Sequence, residues 1–317
     1  MAVLNQASMR AYLSSSITSL NQNKLRGLLA EVDLRSYLAD LGFGGRVSRG
    51  GWIARTKGLG NFGQRTIALF PEIVTEGTDY SANRPLPAPD MGLHTICATF
   101  HQSGISSYYC AAVVDEDNLP QSLRWEALQL GLPVQQTYAP LIEKLADVGF
   151  QVRARRYNFL NNDTQLTDLP DAAVPEEFTK EHLRVSFNTR YMAEISDVDG
   201  LFWGTQHTYP LEIKEKTSGS SSDMGEYFGL DVGPFVKLAY YAAKRGNLHS
   251  IFVVREIDNE EDRNLIAWRF ITFDHLAQFA SWVSQGGGTN MRGGASSVVR
   301  IPKAEFSTLN AQTLAAL

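Results

Sequence analysis

Apolar residues recur along the chain at two spacings, and these spacings predict its helices and strands. Leu25, Leu28 and Val32 lie three or four residues apart, with Gly42 behind them, which predicts a helix over residues 23–41. Similar spacing predicts helices over 140–148, 234–245 and 274–283. Shorter apolar or alternating runs predict strands at 46–55, 66–70, 93–100, 107–114, 150–157, 190–195, 199–203, 209–216, 249–257, 265–271 and 298–301.

The order of these elements indicates an α/β fold with a mixed central sheet flanked by helices and a large insertion. A helix and a strand come first, and two strands, a helix and a strand come last. We predict that residues 1–57 hold the N-terminal helices and the first core strand. Residues 58–185 form an inserted section, and residues 186–317 complete the core, with a loop expected over 217–223.

The amino-acid composition indicates a globular protein and argues against several other classes. The 317 residues are 44% hydrophobic and 20% charged, as in ordinary globular proteins. A net charge of -5 argues against a nonspecific polyanion binder, although an enzyme with a local basic cleft stays compatible with it. The chain has no secretory leader pattern and no apolar run of transmembrane length, so we expect a cytoplasmic protein without a membrane partner. Cys97 and Cys110 are expected to be two buried thiols, with a disulfide as the alternative.

The most informative text is SDVDGLFWGTQHTYPLEIKEKT, residues 196–217. Glu212 and Lys214 are two residues apart in a predicted strand and therefore project from the same face. A hairpin with the preceding strand would bring Asp199 beside Glu212. A single Glu-x-Lys pair in a strand is more commonly a solvated face, so the upstream Asp-Gly and the helix and strand that follow are what favour a site.

Two carboxylates and an ammonium group suit the hydrolysis of a phosphodiester bond. Asp199 and Glu212 could hold Mg²⁺ through oxygen ligands, and the backbone carbonyl of Ile213 could complete the set. A bound cation polarises the phosphate and lowers the pKa of a bound water, which Lys214 could orient or deprotonate. We expect Mn²⁺ to substitute for Mg²⁺.

Asp199, followed by Glu212-Ile213-Lys214 and then a helix and a strand, resembles the PD-(D/E)xK nuclease superfamily and most of all its type II restriction endonucleases. The resemblance covers the first helix and residues 190–284, and it leaves the insertion unexplained. It implies a restriction-endonuclease-like core and a requirement for Mg²⁺. One departure is Val198, which stands where the motif name has proline.

Three further carboxylates compete for places at this site. Asp197 lies two residues before Asp199 and is a rival for its role or for a supporting one. Many members of the superfamily place a glutamate on the first core helix, and Glu31 holds that position here, with a solvated side chain as an equal alternative. Glu194 is a weaker candidate.

Basic residues near the motif are expected to contact phosphates. Arg153, Arg155 and Arg156 form the densest basic cluster, and a charged strand edge is the alternative interpretation. Lys216 faces the same way as Lys214, and Lys237 lies on the following predicted helix. The run from Gly58 to Gly63 matches G-x-G-x-x-G but lacks the flanking strand and helix of a dinucleotide site, and the chain has no P-loop, so we expect no nucleotide cofactor.

The leading hypothesis is therefore a Mg²⁺-dependent endonuclease acting on double-stranded DNA, with the inserted section used for target recognition. A restriction or other host-defence role and a homodimer fit this hypothesis, because cutting a duplex needs two sites. The alternatives are a repair, phage-processing or ligand-activated defence nuclease acting on DNA or RNA, and a nucleic-acid-binding protein without catalysis.

Overall fold

The computed structural model describes residues 4–16, 22–114, 120–134, 136–146, 148–155, 169–244, 246–291 and 294–317. The α-helices in these ranges are α1 Gln6–Ser16, α2 Gln22–Asp40, α3 Met91–Gln102, α4 Leu141–Ala146, α5 Val174–Arg190, α6 Val232–Ala242, α7 Phe273–Phe279 and α8 Ala311–Ala315. The strands are β1 Val47–Thr56, β2 Thr66–Pro71, β3 Ser106–Val114, β4 Leu123–Leu130, β5 Ala139–Pro140, β6 Gln151–Val152, β7 Tyr191–Trp203, β8 Thr208–Lys216, β9 Gly219–Ser221, β10 Gly225–Asp231, β11 Ile251–Ile257, β12 Leu265–Thr272, β13 Gln285–Met291, β14 Gly294–Pro302 and β15 Ser307–Thr308.

The chain divides into two compact units. Unit 1 contains Met1–Leu29 and Gly50–Asp197, and unit 2 contains Ala30–Arg49 and Val198–Leu317. Strands β1 and β7 therefore each contribute residues to both units. The three sequence segments predicted at 1–57, 58–185 and 186–317 stay predictions.

Unit 1 has a mixed sheet in the order β1-β2-β3-β4-β5, with β6 paired to the beginning of β7. β2 and β3 run parallel, while the other neighbours in this order run antiparallel. Leu13, Leu69, Trp125 and Phe178 belong to its apolar core, which the inward faces of these strands and of α1 and α5 supply.

Unit 2 has a mixed sheet in the order β15-β12-β11-β8-β7 and a second sheet in the order β13-β14-β10-β9. In the first sheet β8 and β11 run parallel, and the other neighbours run antiparallel. Leu34, Leu211, Ile213 and Val253 lie in the apolar cluster on one face of that sheet. A separate cluster around Phe252 lies under α6, α7 and the second sheet.

The two units share one pattern of strands. In unit 1 an antiparallel pair, β1 and β2, is followed by α3, by β3 parallel to β2, and by β4 antiparallel to β3. In unit 2 the pair β7 and β8 is followed by α6, by β11 parallel to β8, and by β12 antiparallel to β11. A helix crossover is the usual way to join parallel strands, so each unit contains one such crossover.

The predicted fold class is confirmed, since the molecule is α/β with mixed sheets and flanking helices. The helices at 23–41, 140–148, 234–245 and 274–283 are present as α2, α4, α6 and α7, each within a few residues of its predicted ends. None of the described helices is long and apolar enough to cross a membrane. Cys97 and Cys110 are both buried and free, as expected.

One predicted strand is wrong. Residues 93–100 lie in the helix α3, where Leu93, Ile96, Cys97 and Phe100 form a buried face at helical spacing. Asp90 precedes the helix as its N-cap, and its side chain accepts a hydrogen bond from the Leu93 backbone N–H at 2.7 Å. The apolar residues in this segment follow the period of a helix, although their density resembles that of a strand.

Three other expectations need correction. The strands predicted at 190–195 and 199–203 form one continuous strand, β7, without an intervening turn. The loop predicted over 217–223 contains the short strand β9, which pairs with β10. Of the strand predicted at 150–157, the structure shows only the two residues of β6, and residues 156 and 157 lie outside the described ranges.

Candidate active site

The hairpin of β7 and β8 positions the predicted motif. Gly200 pairs with Leu211, and Trp203 pairs with Thr208 across a short connection. This register places Asp199 and Glu212 next to the last paired positions, on neighbouring strands. The turn is closed by a hydrogen bond from the Gly204 backbone N–H to the His207 carbonyl oxygen at 2.9 Å. The hairpin that the sequence predicted is therefore present.

Strand β8 lies between β7 and the parallel strand β11. Leu211 pairs with Ile251 and Ile213 pairs with Val253, and these side chains lie in the apolar cluster of unit 2. Successive side chains of a strand project from opposite faces, so Glu212 and Lys214 face the other way. The alternation Leu-Glu-Ile-Lys thus places the two apolar side chains in the core and the two charged side chains on the face that forms the candidate site.

Asp199, Glu212 and Lys214 converge in space. The Lys214 Nζ lies 2.7 Å from Glu212 Oε1 and 3.7 Å from Asp199 Oδ2. Both carboxylates are nearly inaccessible, with Asp199 at 3% and Glu212 at 4% exposure, whereas the Lys214 side chain is about one-third exposed at 33%. The arrangement is therefore two buried acids below an ammonium group that reaches solvent.

A backbone group also faces the acids. The Ile213 N–H donates a hydrogen bond of 2.7 Å to Asp199 Oδ2. The N–H and C=O of one residue in a strand point to the same side, so the Ile213 carbonyl is directed towards the Asp199 side of the strand. This orientation agrees with the carbonyl being a third oxygen ligand beside Asp199 and Glu212.

A second lysine completes the charge balance. Lys237 on α6 places its Nζ 2.9 Å from Glu212 Oε2, whereas Lys214 contacts the other oxygen of this carboxylate, Oε1. Two buried carboxylates without compensating charge would be strongly unfavourable, and here two ammonium groups supply that compensation. The predicted phosphate contact of Lys237 is untested, and its ion pair with Glu212 was not foreseen from the sequence.

Lys216 lies one strand step beyond Lys214. Burial lowers the pKa of Lys216, and the neighbouring positive charge of Lys214 lowers it further, while the Asp231 carboxylate opposes the shift. Lys216 is therefore more easily deprotonated than an exposed lysine, and it belongs to the same electrostatic environment as the site.

Strand β8 is also anchored from its other face. The Glu215 side chain is 5% exposed and binds two arginines: Arg255 Nη1 lies 2.9 Å from its Oε2, and Arg263 Nε lies 2.8 Å from its Oε1. Arg263 has a positive φ of 54°, which places this side chain in a backbone conformation uncommon for a residue other than glycine. These contacts hold the end of the strand that carries Lys214.

The other candidate carboxylates lie in different settings. Glu31 is on α2 at 9% exposure, and Asp197 is exposed on β7. The described residues contain no cluster of three or more His, Cys, Asp or Glu side chains that could hold a metal, so Glu31 does not complete such a cluster with the acids of the motif. Any role of Glu31 stays a prediction. Glu194 is exposed and is bound by Arg55, 3.0 Å from its Nε.

The predicted basic cluster is only partly described. The Arg153 side chain donates from its Nε to the Asn188 carbonyl oxygen at 2.5 Å, which engages that group in a contact with the protein's own backbone. Arg155 is exposed. Arg156 lies outside the described residues. Of the two arginines that the structure describes here, Arg155 is the more exposed and therefore the more accessible to a phosphate.

The site therefore fits a divalent cation in its chemistry. It offers two carboxylates and, on the Asp199 side of β8, the Ile213 carbonyl, all hard oxygen donors, and the Lys214 ammonium contacts both carboxylates. Comparison with known proteins adds no assignment: no family model matches the chain, and no curated protein and no solved structure matches it either.

Proposed function

We propose that this protein is a metal-dependent endonuclease that hydrolyses phosphodiester bonds of DNA. The observation that carries the proposal is the position of the Lys214 ammonium group, which lies against two carboxylates that are almost fully buried. Two acids buried side by side are costly to keep ionised unless positive charge lies against them, and phosphodiester cleavage uses such a pair of carboxylates to hold a metal ion.

Asp199, Glu212 and the Ile213 carbonyl would hold Mg²⁺, with Mn²⁺ as a substitute. The ion supplies polarisation of the phosphate and a lower pKa for a bound water. Lys214 holds its ammonium at the open side of the acids, where it can orient the attacking water or offset charge on the phosphate. Lys237 holds the second oxygen of Glu212 in place.

The balance of charge supports this assignment. Asp199 and Glu212 carry two negative charges, and Lys214 and Lys237 carry two positive charges, so the four groups alone sum to zero. A divalent cation would raise the sum to plus two, which suits the negative charge of a phosphodiester. An uncharged substrate would not be attracted by this net positive charge.

The finer parts of the proposal are a restriction-type enzyme, sequence-specific on double-stranded DNA, and a homodimer in the cytoplasm. The described residues of one chain form one such site, and cleavage of both strands of a duplex uses two. The catalytic groups contact the phosphate, so recognition of base sequence falls to other surfaces of the protein.

The test is cleavage of unmethylated plasmid and phage DNA by the purified protein with Mg²⁺, with Mn²⁺ and with EDTA. We expect discrete fragments with either metal and intact DNA in EDTA. Glu212→Ala should abolish cleavage, and Lys214→Ala should slow it by about 10²- to 10³-fold, the usual loss when one charge-stabilising group is removed. Glu261→Gln, on an exposed loop of unit 2, is the matched control and should cleave normally.

The other outcomes separate the alternatives. A smear that needs the same metal and residues would favour a processing or defence nuclease over a restriction enzyme. Cleavage of RNA in place of DNA would change the substrate but keep the site. Folded wild-type protein that binds DNA and cuts neither DNA nor RNA with any metal would contradict the proposal. Cleavage that survives Glu212→Ala would show that the active site lies elsewhere.

A further inference from the structure

The loop between β1 and β2, residues 57–65, displays two large apolar side chains to solvent. Leu59 is fully exposed at 107%, and Phe62 is exposed at 57%. A single exposed apolar residue is ordinary, but two within four positions at the end of a hairpin form a small apolar projection. Nothing in the proposed catalytic chemistry uses this loop.

The loop is held in one conformation by its own contacts. The Gly63 backbone N–H donates to the Thr56 carbonyl oxygen at 2.8 Å, and the Thr56 hydroxyl donates to the Asn61 carbonyl oxygen at 2.6 Å. Gly58 has a φ of +153°, a backbone conformation that residues with a Cβ rarely adopt, so glycine suits this position, which lies against the Gln151 side chain. Leu59 and Phe62 are therefore presented on an ordered support, which reduces the entropy lost when they bind a partner.

Positive charge surrounds the projection. Lys57 and Arg65 are exposed at the two ends of the loop, and neither forms an ion pair within the part of the chain that the structure describes. The Arg55 guanidinium lies 5.6 Å from the centre of the Phe62 ring, although Glu194 is its ion-pair partner, so among the described residues the unpaired positive charge at the loop comes from Lys57 and Arg65. No acidic residue occurs between Arg55 and Arg65.

The segment packed beside the loop carries one more exposed arginine. Asn61 Nδ2 donates to the Gly149 carbonyl oxygen at 3.3 Å, and Gly58 lies against Gln151, so the loop packs beside the chain that leads to Arg155. Arg155 is exposed. Lys57, Leu59, Phe62, Arg65 and Arg155 are called the hairpin-tip surface below.

We propose that the hairpin-tip surface binds duplex DNA, with Lys57, Arg65 and Arg155 on phosphates and with Leu59 and Phe62 inserted into a groove. Apolar wedges between cations suit DNA because phosphates line both sides of a groove and base edges form its floor. This inference rests on the proposed function for its choice of polyanion. It assigns part of the DNA contact to unit 1, which lacks the carboxylates of the candidate active site.

The experiment is fluorescence anisotropy with a labelled duplex of mixed sequence in EDTA, where cleavage does not interfere, over a range of salt concentrations. The Leu59→Ser/Phe62→Ser variant should bind about tenfold more weakly than wild type with a similar salt dependence, since base and sugar contacts are lost and phosphate contacts are kept. The Lys57→Ala/Arg65→Ala variant should lower the slope of log affinity against log salt by about 1.8, because each lost phosphate contact removes about 0.9.

Ile142→Ser and Lys144→Ala are the matched controls, because both lie on α4 in unit 1, and each should bind as wild type does. Unfolding curves of all the variants are compared with wild type, and we expect the same midpoints because Leu59, Phe62, Lys57 and Arg65 are exposed. Equal DNA affinity in Leu59→Ser/Phe62→Ser and Ile142→Ser would overturn the inference. Loop-dependent binding to phosphatidylglycerol vesicles without loop-dependent binding to DNA would overturn it in favour of a lipid surface.

Failure of this inference can be told apart from failure of the proposed function. Wild type that cleaves DNA while the loop variants bind as tightly as wild type would contradict the hairpin-tip surface alone. Loop-dependent binding in EDTA by a protein that never cleaves would support the hairpin-tip surface and contradict the nuclease.

Discussion

His182 should make unit 1 less stable in mild acid. Its imidazole is buried on α5, where Nδ1 lies 3.2 Å from the Trp125 indole Nε1 and Nε2 lies 2.9 Å from the Pro120 carbonyl oxygen. The indole N–H can only donate and the carbonyl can only accept, so Nδ1 must accept and Nε2 must donate. These partners require the neutral ring, because a proton on Nδ1 would face the indole N–H.

The size of this loss of stability in acid follows from the pKa of His182. Burial lowers the pKa of His182 from 6.5 to about 4, although the hydrogen bond to Pro120 opposes the shift. Below pH 6.5 His182 becomes protonated in the unfolded chain, but in the folded chain it stays neutral down to about pH 4. The free energy of unfolding therefore decreases as the pH falls through this range. With about 1.36 kcal/mol per pKa unit, the free energy of unfolding at pH 5 should be about 2 kcal/mol lower than at pH 7.5 from this group alone.

The assay is urea unfolding at pH 7.5 and pH 5.0, followed by tryptophan fluorescence, for wild type and His182→Gln. Glutamine can donate and accept hydrogen bonds but does not titrate. Between pH 7.5 and pH 5.0 the free energy of unfolding of His182→Gln should therefore fall by about 2 kcal/mol less than that of wild type. Other titrating groups affect both proteins alike and cancel in the comparison. Equal losses in the two proteins would refute the assignment of a neutral buried imidazole.

Two further predictions concern buried groups of unit 1. Arg84 binds the Glu72 carboxylate and donates to the Ala112 carbonyl oxygen at 2.7 Å. Arg84→Ala should lower the free energy of unfolding, measured in urea, by about 3 kcal/mol, because it leaves a carboxylate whose side chain is only 13% exposed without its cation. An unchanged midpoint would contradict this. Burial raises the pKa of the Cys97 thiol to about 12 and also raises that of Cys110, so Ellman's reagent should modify neither in the native protein and both after denaturation. Fast labelling of the native protein would show that these thiols are accessible.

The sequence was most informative where one face of a strand is buried and the other carries the chemistry. Leu211 and Ile213 alternate with Glu212 and Lys214, and this alternation alone determines which side chains project together. The short turn after Trp203 makes the hairpin a local feature, so the proximity of Asp199 could also be inferred. The spacing of apolar residues within one element, and the pairing of two strands joined by a short turn, are the features that can be predicted from a single sequence.

Other features depend on contacts between residues far apart in the chain. The helix α5 was not predicted, because its buried surface includes Glu177 and Glu181, which hide its apolar period. The Lys24 ammonium compensates them from another helix, with its Nζ 2.6 Å from Glu177 Oε1 and 3.3 Å from Glu181 Oε1. The pairing of Lys237 with Glu212 across 25 residues has no local signal either. Such pairs appear only when the packing of the elements is known.

Asp199 and Glu212 are proposed to hold a divalent cation, and iron-directed cleavage of the protein itself tests this most directly. Fe²⁺ replaces Mg²⁺ in many oxygen-ligand sites, and with ascorbate and peroxide it generates radicals that cut the backbone beside the bound ion. We expect cuts near Asp199 and near Ile213, suppressed by excess Mg²⁺ and absent in Glu212→Ala. Cuts confined to other segments, or no cuts that Mg²⁺ suppresses, would contradict the proposed metal site.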